Sequence, residues 1–507
     1  MVSRSIMLNN NYTLPSSEQS YWRGLAQREL EEALRVQPDT RRARNVILMV
    51  GDGMGPNTVT AARIATGGEG HRLAFEEFPH IGLLKTYSAD KMVPDSASTA
   101  TALFCGAKVN QQTVAVDASV PLGDCSASLR TESHLRSLAA LALDAGMSAG
   151  LVTTMRVTHA TPAPLYAHSA HRKWECDGGV PAACKDHARQ LVEDWPGRDL
   201  QVIMGGGRQV LTANVSGSAH DPLDMWSCRR TDGRDLVAEY ERNRRARGQK
   251  YSVVTNNRQL GELDVEGTDY LLGIFANGHL KYEYERDKGP DGMPSLTEMV
   301  EAAIKVLEKN KNGYFLMVEG GNIDMAHHRG HARVAVEETA ELSRAAAFAR
   351  RIAAPDTLLV VASDHTHTLT INGYPYRGSD IFGVASQTPD GTNYTTLSYG
   401  TGGPGTRRPE AGANTTSYDY QAVSAIELEE NAHGGGDVLI YATGPHAHLF
   451  HSVHEQHYVH HALAYAAGLF NNLAPFITKQ TNLLHLATRR RTKCYLLISM
   501  NNLYQIN

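Results

Sequence analysis

One stretch of sequence decides the fold class: Asn45-Val46-Ile47-Leu48-Met49-Val50-Gly51-Asp52-Gly53-Met54-Gly55. Its apolar run shows no polar alternation, which indicates a strand buried on both faces, and it stops at a glycine-rich turn. Such strands are typical of parallel sheets covered by helices. Asp52 lies between two glycines of the turn, where a carboxylate can approach a metal ion without crowding, although GDG is also a common turn sequence.

The same pattern recurs along the chain. Further apolar runs lie at 148–154, 200–204, 313–318 and 357–362, and helical patterns lie at 131–146, 185–195, 295–310 and 333–352. Strands that alternate with helices predict an α/β fold with a large, mostly parallel central sheet flanked by helices. Ligands bind at the carboxyl edge of such sheets, where this chain places glycines and polar residues.

Composition excludes several classes of protein. The 507 residues are 42% hydrophobic, and 49 basic residues against 54 acidic ones give a net charge of −5. This balance argues against a nucleic-acid partner bound by a basic face. No run of 18 apolar residues occurs in the sequence, so we expect no transmembrane helix.

Targeting signals are weak in this sequence. Residues 1–20 lack the apolar core of a signal peptide, and arginines interrupt the final segment where a lipid-anchor tail would lie. Four glycosylation sequons, at Asn11, Asn214, Asn393 and Asn414, support a secreted glycoprotein only weakly because sequons also arise by chance.

Residues 17–37 predict a separate N-terminal helix with an apolar stripe, before an α/β catalytic domain at 40–372. Residues 373–432 are rich in Gly, Ser, Thr, Tyr and Pro and favour an inserted subdomain, since so long a structureless loop is uncommon. We expect the chain to return to the catalytic domain at 433–470 and to end in an atypical tail at 471–507.

The segment 319–328, Glu-Gly-Gly-Asn-Ile-Asp-Met-Ala-His-His, is the first dense cluster of candidate ligands. Asp324 and His328 are four residues apart, so on a helix both side chains project from one face and form a workable pair of zinc ligands. The alternative is a helical turn with solvated charges.

A second cluster, Ser363-Asp364-His365-Thr366-His367, follows an apolar strand. Asp364 and His365 can both bind one metal ion if the backbone turns there, and His367 could orient a ligand. A polar loop is the alternative. The combination of two such clusters with His433, in Ala432-His433-Gly434-Gly435-Gly436, makes coincidence much less plausible.

The segment 93–102, Val-Pro-Asp-Ser-Ala-Ser-Thr-Ala-Thr-Ala, is typical of a loop that enters a helix. Ser96 would lie at the helix N-terminus, where free N–H groups and the helix dipole favour a phosphate, although an ordinary N-cap is the alternative. Arg172 could bind phosphate oxygens with two N–H groups, and otherwise is a surface arginine. No GxSxG motif occurs, so an acyl-transferring hydrolase is not supported.

Together these motifs resemble the animal type of alkaline phosphatase over residues 17–470. The phrases VILMVGDGMG, VPDSASTATA, RVTHATPAPLYAH, VEGGNIDMAHH, SDHTH and HGGGDV stand in the family's order and spacing. The resemblance implies a broad-specificity phosphomonoester hydrolase with two zinc ions, one magnesium ion and a phosphoserine intermediate. Small phosphomonoesters would be its substrates.

The resemblance also implies roles for individual residues. Ser96 matches the nucleophile, and Arg172 matches the phosphate-binding arginine. The first zinc would bind Asp324, His328 and His433, and the second would bind Asp364, His365 and Asp52. Magnesium would bind the other oxygen of Asp52 together with Thr161 and Glu319. Residues next to these ligands would be His159, His367 and Glu430.

Other features follow from the resemblance alone. Segment 373–432 matches the crown domain, 17–37 matches the helix that grips a partner subunit in a homodimer, and Tyr374 matches a tyrosine that reaches the partner's active site. The family implies an extracellular or membrane-anchored location. Cys125 and Cys184 match a family disulfide, Cys176 with Cys228 is our prediction for a second, and Cys105 should be a buried free thiol.

The family's calcium site is expected to be absent or weak. Its acidic positions correspond to Ala276, which follows Phe275, and to a position near Met293, while the remaining acid is either Asp221 or Asp224.

Two other functions stay open. A related two-metal phosphodiesterase or sulfatase would share the metal residues, but Ser96, Thr161, Glu319 and Arg172 favour monoesters. A catalytically dead surface-binding protein is the second alternative, although every matched catalytic position holds a competent residue.

Overall fold

The computed structural model describes residues 19–402 and 412–469, so the predicted tail at 471–507 lies outside the described residues. The helices are α1 (Gln19–Arg35), α2 (Pro56–Gly67), α3 (Ser96–Cys105), α4 (Cys125–Ser128), α5 (Leu138–Asp144), α6 (His187–Glu193), α7 (Arg208–Leu211), α8 (Leu236–Ala246), α9 (Asn257–Gly261), α10 (Leu296–Leu307), α11 (Asn322–His328), α12 (Ala332–Ile352) and α13 (Tyr458–Ala466).

Ten of the strands form the central sheet. They are β1 (Asn45–Gly51), β2 (His80–Lys85), β3 (Ser148–Arg156), β4 (Val202–Gly206), β5 (Tyr251–Val254), β6 (Tyr270–Ile274), β7 (Tyr314–Gly320), β8 (Thr357–Ser363), β16 (Val438–Thr443) and β17 (Ser452–Glu455), in the order β17-β2-β16-β8-β1-β7-β3-β4-β6-β5. Strand β16 runs antiparallel to both neighbours, and the other pairs are parallel. The predicted α/β class is therefore confirmed.

Strand β1 shows why the sheet is buried on both faces. Val46, Leu48 and Val50 pack into one hydrophobic cluster, while Ile47 and Met49 pack into another on the opposite face. Successive side chains of a strand point to opposite faces, so an uninterrupted apolar run serves two cores at once.

The sheet brings three candidate motifs to one edge. Strand β1 lies between β7 and β8, with Gly51 in register with Gly320 and Ser363. The three strands are parallel, so their carboxyl ends coincide. Glu319, Asp52 and Asp364 follow or end these strands and are therefore brought together, although they are far apart in sequence.

The helix predicted over 131–146 is wrong in its first half. A short 3-10 turn occupies Thr131–Ser133, and α5 begins only at Leu138, because the Ser137 hydroxyl accepts the N–H of Ala140 and caps the helix there. Helix α10 matches its prediction better, since Ser295 and Glu298 form a capping box at its start.

Small sheets lie in the segment 373–432, which we predicted to be an inserted subdomain, and at its two ends. Strands β10 (Leu369–Ile371), β13 (Leu397–Gly402) and β14 (Ser424–Glu427) form one sheet, and β11 (Val384–Gln387) pairs with β12 (Asn393–Thr395). A further pair, β9 (Thr366–His367) and β15 (His433–Gly434), places His433 opposite His367.

Helix α1 has no buried residue, and its side chains Trp22, Leu30 and Leu34 are exposed. Within the described residues, no helix combines the length and the apolar character needed to cross a bilayer. Both predicted disulfides, Cys125–Cys184 and Cys176–Cys228, are present, and Cys105 is a buried free thiol, so these predictions are confirmed.

Candidate metal centre and active site

Three groups of potential metal ligands lie at the carboxyl edge of the sheet. The first contains Asp324, His328, His367 and His433, the second contains Asp52, Asp364 and His365, and the third contains Asp52, His159 and Glu319. Within each group the potential ligand atoms lie within 4.8 Å of one another. Every metal ligand that we predicted from the sequence, except Thr161, is a member of one of these groups.

The first group joins helix α11 to the β9–β15 pair. Asp324 and His328 share one face of α11, and their Oδ2 and Nε2 atoms are 3.3 Å apart. His433 Nε2 lies 3.1 Å from His328 Nε2 and 3.4 Å from Asp324 Oδ1. His367 Nε2 is 2.5 Å from Asp324 Oδ1, so the residue that we expected beside the ligands contacts one of them directly.

The second group surrounds Ser96. His365 Nε2 lies 3.2 Å from Asp52 Oδ1 and 3.3 Å from Asp364 Oδ2. The Ser96 hydroxyl oxygen lies 3.1 Å from His365 Nε2 and 3.4 Å from Asp52 Oδ1. The rings of His365 and His433 stack with centroids 3.6 Å apart, which places the first and second groups side by side.

The third group uses the other oxygen of Asp52. Thr161 Oγ1 donates to Asp52 Oδ2 over 3.4 Å, and the Thr153 hydroxyl donates to Glu319 Oε2. Glu319 Oε1 is buried and has no hydrogen-bond partner among the described residues. Because Asp52 faces Ser96 with Oδ1 and Thr161 with Oδ2, it links the second and third groups.

Burial dominates the electrostatics of the carboxylates. It raises the pKa of Glu319 to about 7 and that of Asp364 to about 7, where the nearby Asp52 carboxylate adds to the effect. The pKa of Asp52 lies well above its usual range because of burial and the charges of Asp324 and Glu319. Uncompensated carboxylates are costly inside a protein, so this cluster favours bound cations.

His328, in the first group, also indicates a bound cation. Burial alone would lower the pKa of His328, but the Asp324 carboxylate raises it to about 9. A metal ion would take the place of the proton that His328 binds under that influence. The donor set of carboxylates and imidazoles suits zinc, while the all-oxygen side of Asp52, Thr161 and Glu319 suits magnesium.

Ser96 opens helix α3, and its position follows from the local cap. Asp95 caps the helix by accepting the N–H groups of Ala97 and Ser98, both over 3.3 Å. Arg172 donates to Asp95 Oδ2 over 3.0 Å, and its second terminal nitrogen lies 3.4 Å from His159 Nε2. The serine, the helix N-terminus and the guanidinium are thereby held at one site.

A cavity of about 330 Å³ opens over this site. Its lining includes Arg172, His159, Asp324, His328 and Glu430. Glu430 Oε1 lies 3.6 Å from His328 Nδ1, and the Glu430 side chain is more than half exposed. The volume lies at the small end of the range for ligand pockets, which suits a phosphate ester with room at its mouth for a leaving group.

Sequence reasoning missed several residues that hold the ligands in place. Asn431 accepts from His367 Nδ1 over 2.6 Å with its side-chain oxygen, and from His328 Nδ1 over 2.7 Å with its carbonyl. The carbonyl of Pro94 accepts from His433 Nδ1 over 2.9 Å. The position of Asn431 two residues before His433 was the available signal, but its contacts depend on the tertiary fold.

The positions that correspond to the family's calcium site hold apolar residues or carboxylates that are paired with arginines. Ala276 and Met293 are buried apolar residues. Asp221 pairs with Arg208 over 2.7 Å, and Asp224 pairs with Arg156 over 2.5 Å. Both candidate acids are therefore already engaged by arginines.

Comparison with known proteins agrees with this geometry. The family model for alkaline phosphatase matches residues 43–469. The tissue-nonspecific alkaline phosphatase of Gallus gallus is 44% identical over 475 residues, covering 90% of each chain. The human tissue-nonspecific isozyme is 42% identical over 486 residues, covering 91% of each chain. A membrane-bound alkaline phosphatase of Bombyx mori is 39% identical over 477 residues, covering 89% of this chain and 86% of the relative.

Solved structures show the same fold. The alkaline phosphatase of Thermus thermophilus has a TM-score of 0.61 at 25% identity and covers 86% of this chain and 94% of its own. That of the Antarctic bacterium TAB5 has a TM-score of 0.60 at 22% identity, covering 85% of this chain and 100% of its own. The chain therefore belongs to the alkaline phosphatase family and is a metal-dependent phosphoric monoester hydrolase.

Proposed function

We propose that this enzyme hydrolyses a broad range of phosphomonoesters through a covalent phosphoserine at Ser96. The observation that carries the proposal is the position of the Ser96 hydroxyl, 3.1 Å from His365 and 3.4 Å from Asp52, at the N-terminus of α3. A serine in that position can attack a phosphorus atom that the neighbouring groups hold in line.

Three cations would complete the site. A first zinc would bind Asp324, His328 and His433, a second would bind Asp52, Asp364 and His365, and magnesium would bind Asp52, Thr161 and Glu319. The unpartnered Glu319 Oε1 and the raised pKa of the buried carboxylates support this assignment. When bound, the ions would supply Lewis-acid stabilisation of the oxygen atoms that gain negative charge during phosphoryl transfer.

The protein's own groups bind and orient the substrate. Arg172 would hold two equatorial phosphate oxygens, and its contact with Asp95 fixes its direction. The N–H groups at the start of α3 add to this anion site. Ser96 Oγ forms the bond to phosphorus as the leaving alcohol departs, and water later cleaves the phosphoserine to release phosphate.

The neighbouring residues would maintain this geometry. His367 contacts Asp324, His159 lies beside Arg172 and the Asp52–Glu319 pair, and Glu430 lies beside His328 at the cavity mouth. We propose positioning roles for all three. Mutation of such supporting residues typically lowers metal affinity or activity about 10- to 100-fold.

The decisive test is hydrolysis of p-nitrophenyl phosphate at alkaline pH by the purified protein loaded with zinc and magnesium. Ser96→Ala should lower kcat by roughly 10³-fold or more, as expected for loss of a nucleophile. Ser98→Ala is the matched control, because Ser98 lies in the same helix and its hydroxyl donates to the Asp95 carbonyl. Mass spectrometry after acid quenching with inorganic phosphate should find one phosphoryl group on the parent and none on Ser96→Ala.

Two results would contradict the proposal. Equal turnover by the parent and Ser96→Ala would exclude the phosphoserine route. Faster hydrolysis of bis-p-nitrophenyl phosphate than of the monoester would favour a diesterase instead.

We also propose that the protein is an extracellular or membrane-associated homodimer. Two disulfides and the exposed sequon residues Asn214, Asn393 and Asn414 suit an oxidising compartment. The exposed apolar side chains of α1 and the fully exposed Tyr374 suit contact with a second copy. Light scattering should show that the parent is a dimer and that the double variant Leu30→Glu/Leu34→Glu is a monomer. If the variant is also a dimer, α1 does not form the contact between subunits.

A further inference from the structure

A second cavity adjoins the active-site cavity. It measures about 260 Å³ and lies beside the 330 Å³ cavity that Arg172, Asp324 and His328 line. Both cavities are lined by Trp226, His279, Met325 and Arg329. These four side chains therefore lie between the two cavities and contact both spaces.

Trp226 is the most exposed of the chain's four tryptophans. Its exposed fraction is 81%, against 48% for Trp22, 40% for Trp195 and 7% for Trp174. Its neighbour Met225 is 80% exposed. An indole that is left in solvent at the edge of a reactive cavity is available to contact a ligand, since tryptophan usually contributes its large apolar surface to a core or an interface.

The backbone that carries this indole is held firmly. The N–H of Trp226 donates to Asp224 Oδ1 over 2.9 Å, and Asp224 pairs with the buried Arg156. The side chain of Gln209 accepts the Asp224 N–H over 2.8 Å and donates to its carbonyl over 3.0 Å. Two residues further on, Cys228 is joined to Cys176. A surface fixed in this way loses little conformational freedom when a ligand binds.

Arg329 supplies a cationic side to the same space. It directly follows His328, and its Nη1 donates to the Tyr282 hydroxyl over 3.2 Å. Its guanidinium lies 5.8 Å from the centroid of the Tyr282 ring. A planar guanidinium and an indole both present flat faces that stack on aromatic rings, and base–aromatic stacking tolerates every base.

We propose that Trp226 and Arg329 form a leaving-group subsite that favours phosphomonoesters whose alcohol carries a planar aromatic ring over those whose alcohol carries none. This proposal rests on the phosphomonoesterase function proposed above. The phosphate would lie at Ser96 and Arg172, and the aromatic ring of the leaving group would lie against Trp226 and Arg329. Ser96 displaces the aromatic alcohol, which leaves with a proton, and water then cleaves the phosphoserine to release inorganic phosphate.

The test compares adenosine monophosphate with β-glycerophosphate, which has no ring. Trp226→Ala should lower kcat/KM for adenosine monophosphate about 5- to 50-fold, mostly through KM, and change that for β-glycerophosphate less than about twofold. Trp226→Phe should restore most of the loss, since it keeps a flat aromatic face. Trp195→Ala is the matched control, because Trp195 is an exposed tryptophan that lines a different cavity.

An equal loss on both substrates, or none on adenosine monophosphate, would overturn the subsite. The binding of both esters to Ser96→Ala, with and without Trp226→Ala, separates this proposal from the function. If the parent shows no turnover but Trp226→Ala still weakens binding of adenosine monophosphate alone, the function fails and the subsite stands. If the parent turns over both esters and Trp226→Ala changes neither, the subsite fails and the function stands.

Discussion

Two clusters of charged side chains lie close together inside this protein. They differ in how the charge of their carboxylates is compensated. The cluster at the sheet edge gathers four carboxylates, those of Asp52, Glu319, Asp324 and Asp364. The second cluster surrounds Arg156, which pairs with Glu175 over 2.7 Å and with Asp224 over 2.5 Å.

The pKa values show the difference. Burial alone would raise the pKa of Glu175, but Arg156 holds it down at about 2. In the first cluster burial raises the pKa of Glu319 to about 7, and Glu319 Oε1 has no hydrogen-bond partner among the described residues. A buried carboxylate that has an internal cation stays charged, whereas one that lacks it favours an external cation. The arginine cluster is thus complete by itself, and the carboxylate cluster needs metal ions.

Among the changes that test this comparison, the largest effect is expected from Asp52→Asn, which removes one carboxylate from the carboxylate cluster. Asp52 belongs to two ligand groups, so its loss should exceed the cost of a supporting residue and lower kcat by more than about 100-fold. Bound zinc and magnesium, measured by mass spectrometry, should both fall. Full metal content with normal turnover would contradict the proposed role. Asp221→Asn is the control, because it changes a carboxylate outside the cluster.

Arg156→Gln should break the other cluster by leaving Glu175 and Asp224 without their cation. Because Glu175 is buried and the Asp224 side chain is only 12% exposed, we expect a loss of about 3–5 kcal/mol in the free energy of unfolding, measured by guanidinium denaturation. Arg258→Gln removes an exposed pair with Asp291 and should change stability little. Similar stability of both variants would show that the Arg156 cluster does not stabilise the fold.

Glu338 is a buried carboxyl group outside both clusters, and it tests how burial changes the pKa of a carboxyl group there. Burial raises its pKa to about 8 from an ordinary 4.5, and its Oε1 accepts the Glu283 N–H over 2.6 Å. The folded state then holds a proton that the unfolded chain releases, so this contribution is complete below about pH 4.5 and is lost as pH rises through about 8. At about pH 6.5, two pH units above the ordinary pKa of 4.5, Glu338→Gln should therefore be more stable than the parent by roughly 3 kcal/mol, and near pH 4 the two should be similar.

The measurement is the denaturant midpoint of the parent and the variant at several pH values. Parallel pH profiles would show that Glu338 is ionised in the folded protein. Glu337→Gln is the control, since Glu337 is its sequence neighbour and contacts the Tyr418 hydroxyl.

The smallest effect is expected from calcium. Asp221 and Asp224 are paired with arginines, and Ala276 and Met293 offer no side-chain oxygen. Excess Ca²⁺ added to zinc- and magnesium-loaded protein should therefore leave Tm and activity unchanged. Saturable binding of one calcium per chain, or a clear rise in Tm, would show that a calcium site exists despite these substitutions.

Much of the fold could be predicted because it depends on local sequence patterns. The apolar run of β1 predicted a strand buried on both faces, and the turn after it predicted an acidic residue at the ligand-binding edge. The four-residue spacing of Asp324 and His328 predicted one helical face, and α11 provides it. The start of α5 was misplaced because a single hydroxyl, that of Ser137, decides where that helix begins.

Other features depend on distant parts of the chain. No local pattern shows that Asn431 supports His328 and His367, or that β15 places His433 opposite His367. The same holds for Trp226, whose backbone N–H bonds to Asp224, which in turn pairs with Arg156 from a distant strand.

The sequence by itself determined the alternating strands and helices, the residues able to bind metals and the serine at a helix start, because periodicity and side-chain chemistry are local properties. Only the tertiary structure decided which buried carboxylates meet an arginine and which remain uncompensated. That distinction arises because burial and the distance between charges set electrostatic energies, and both are fixed only when the parallel strands align their ends.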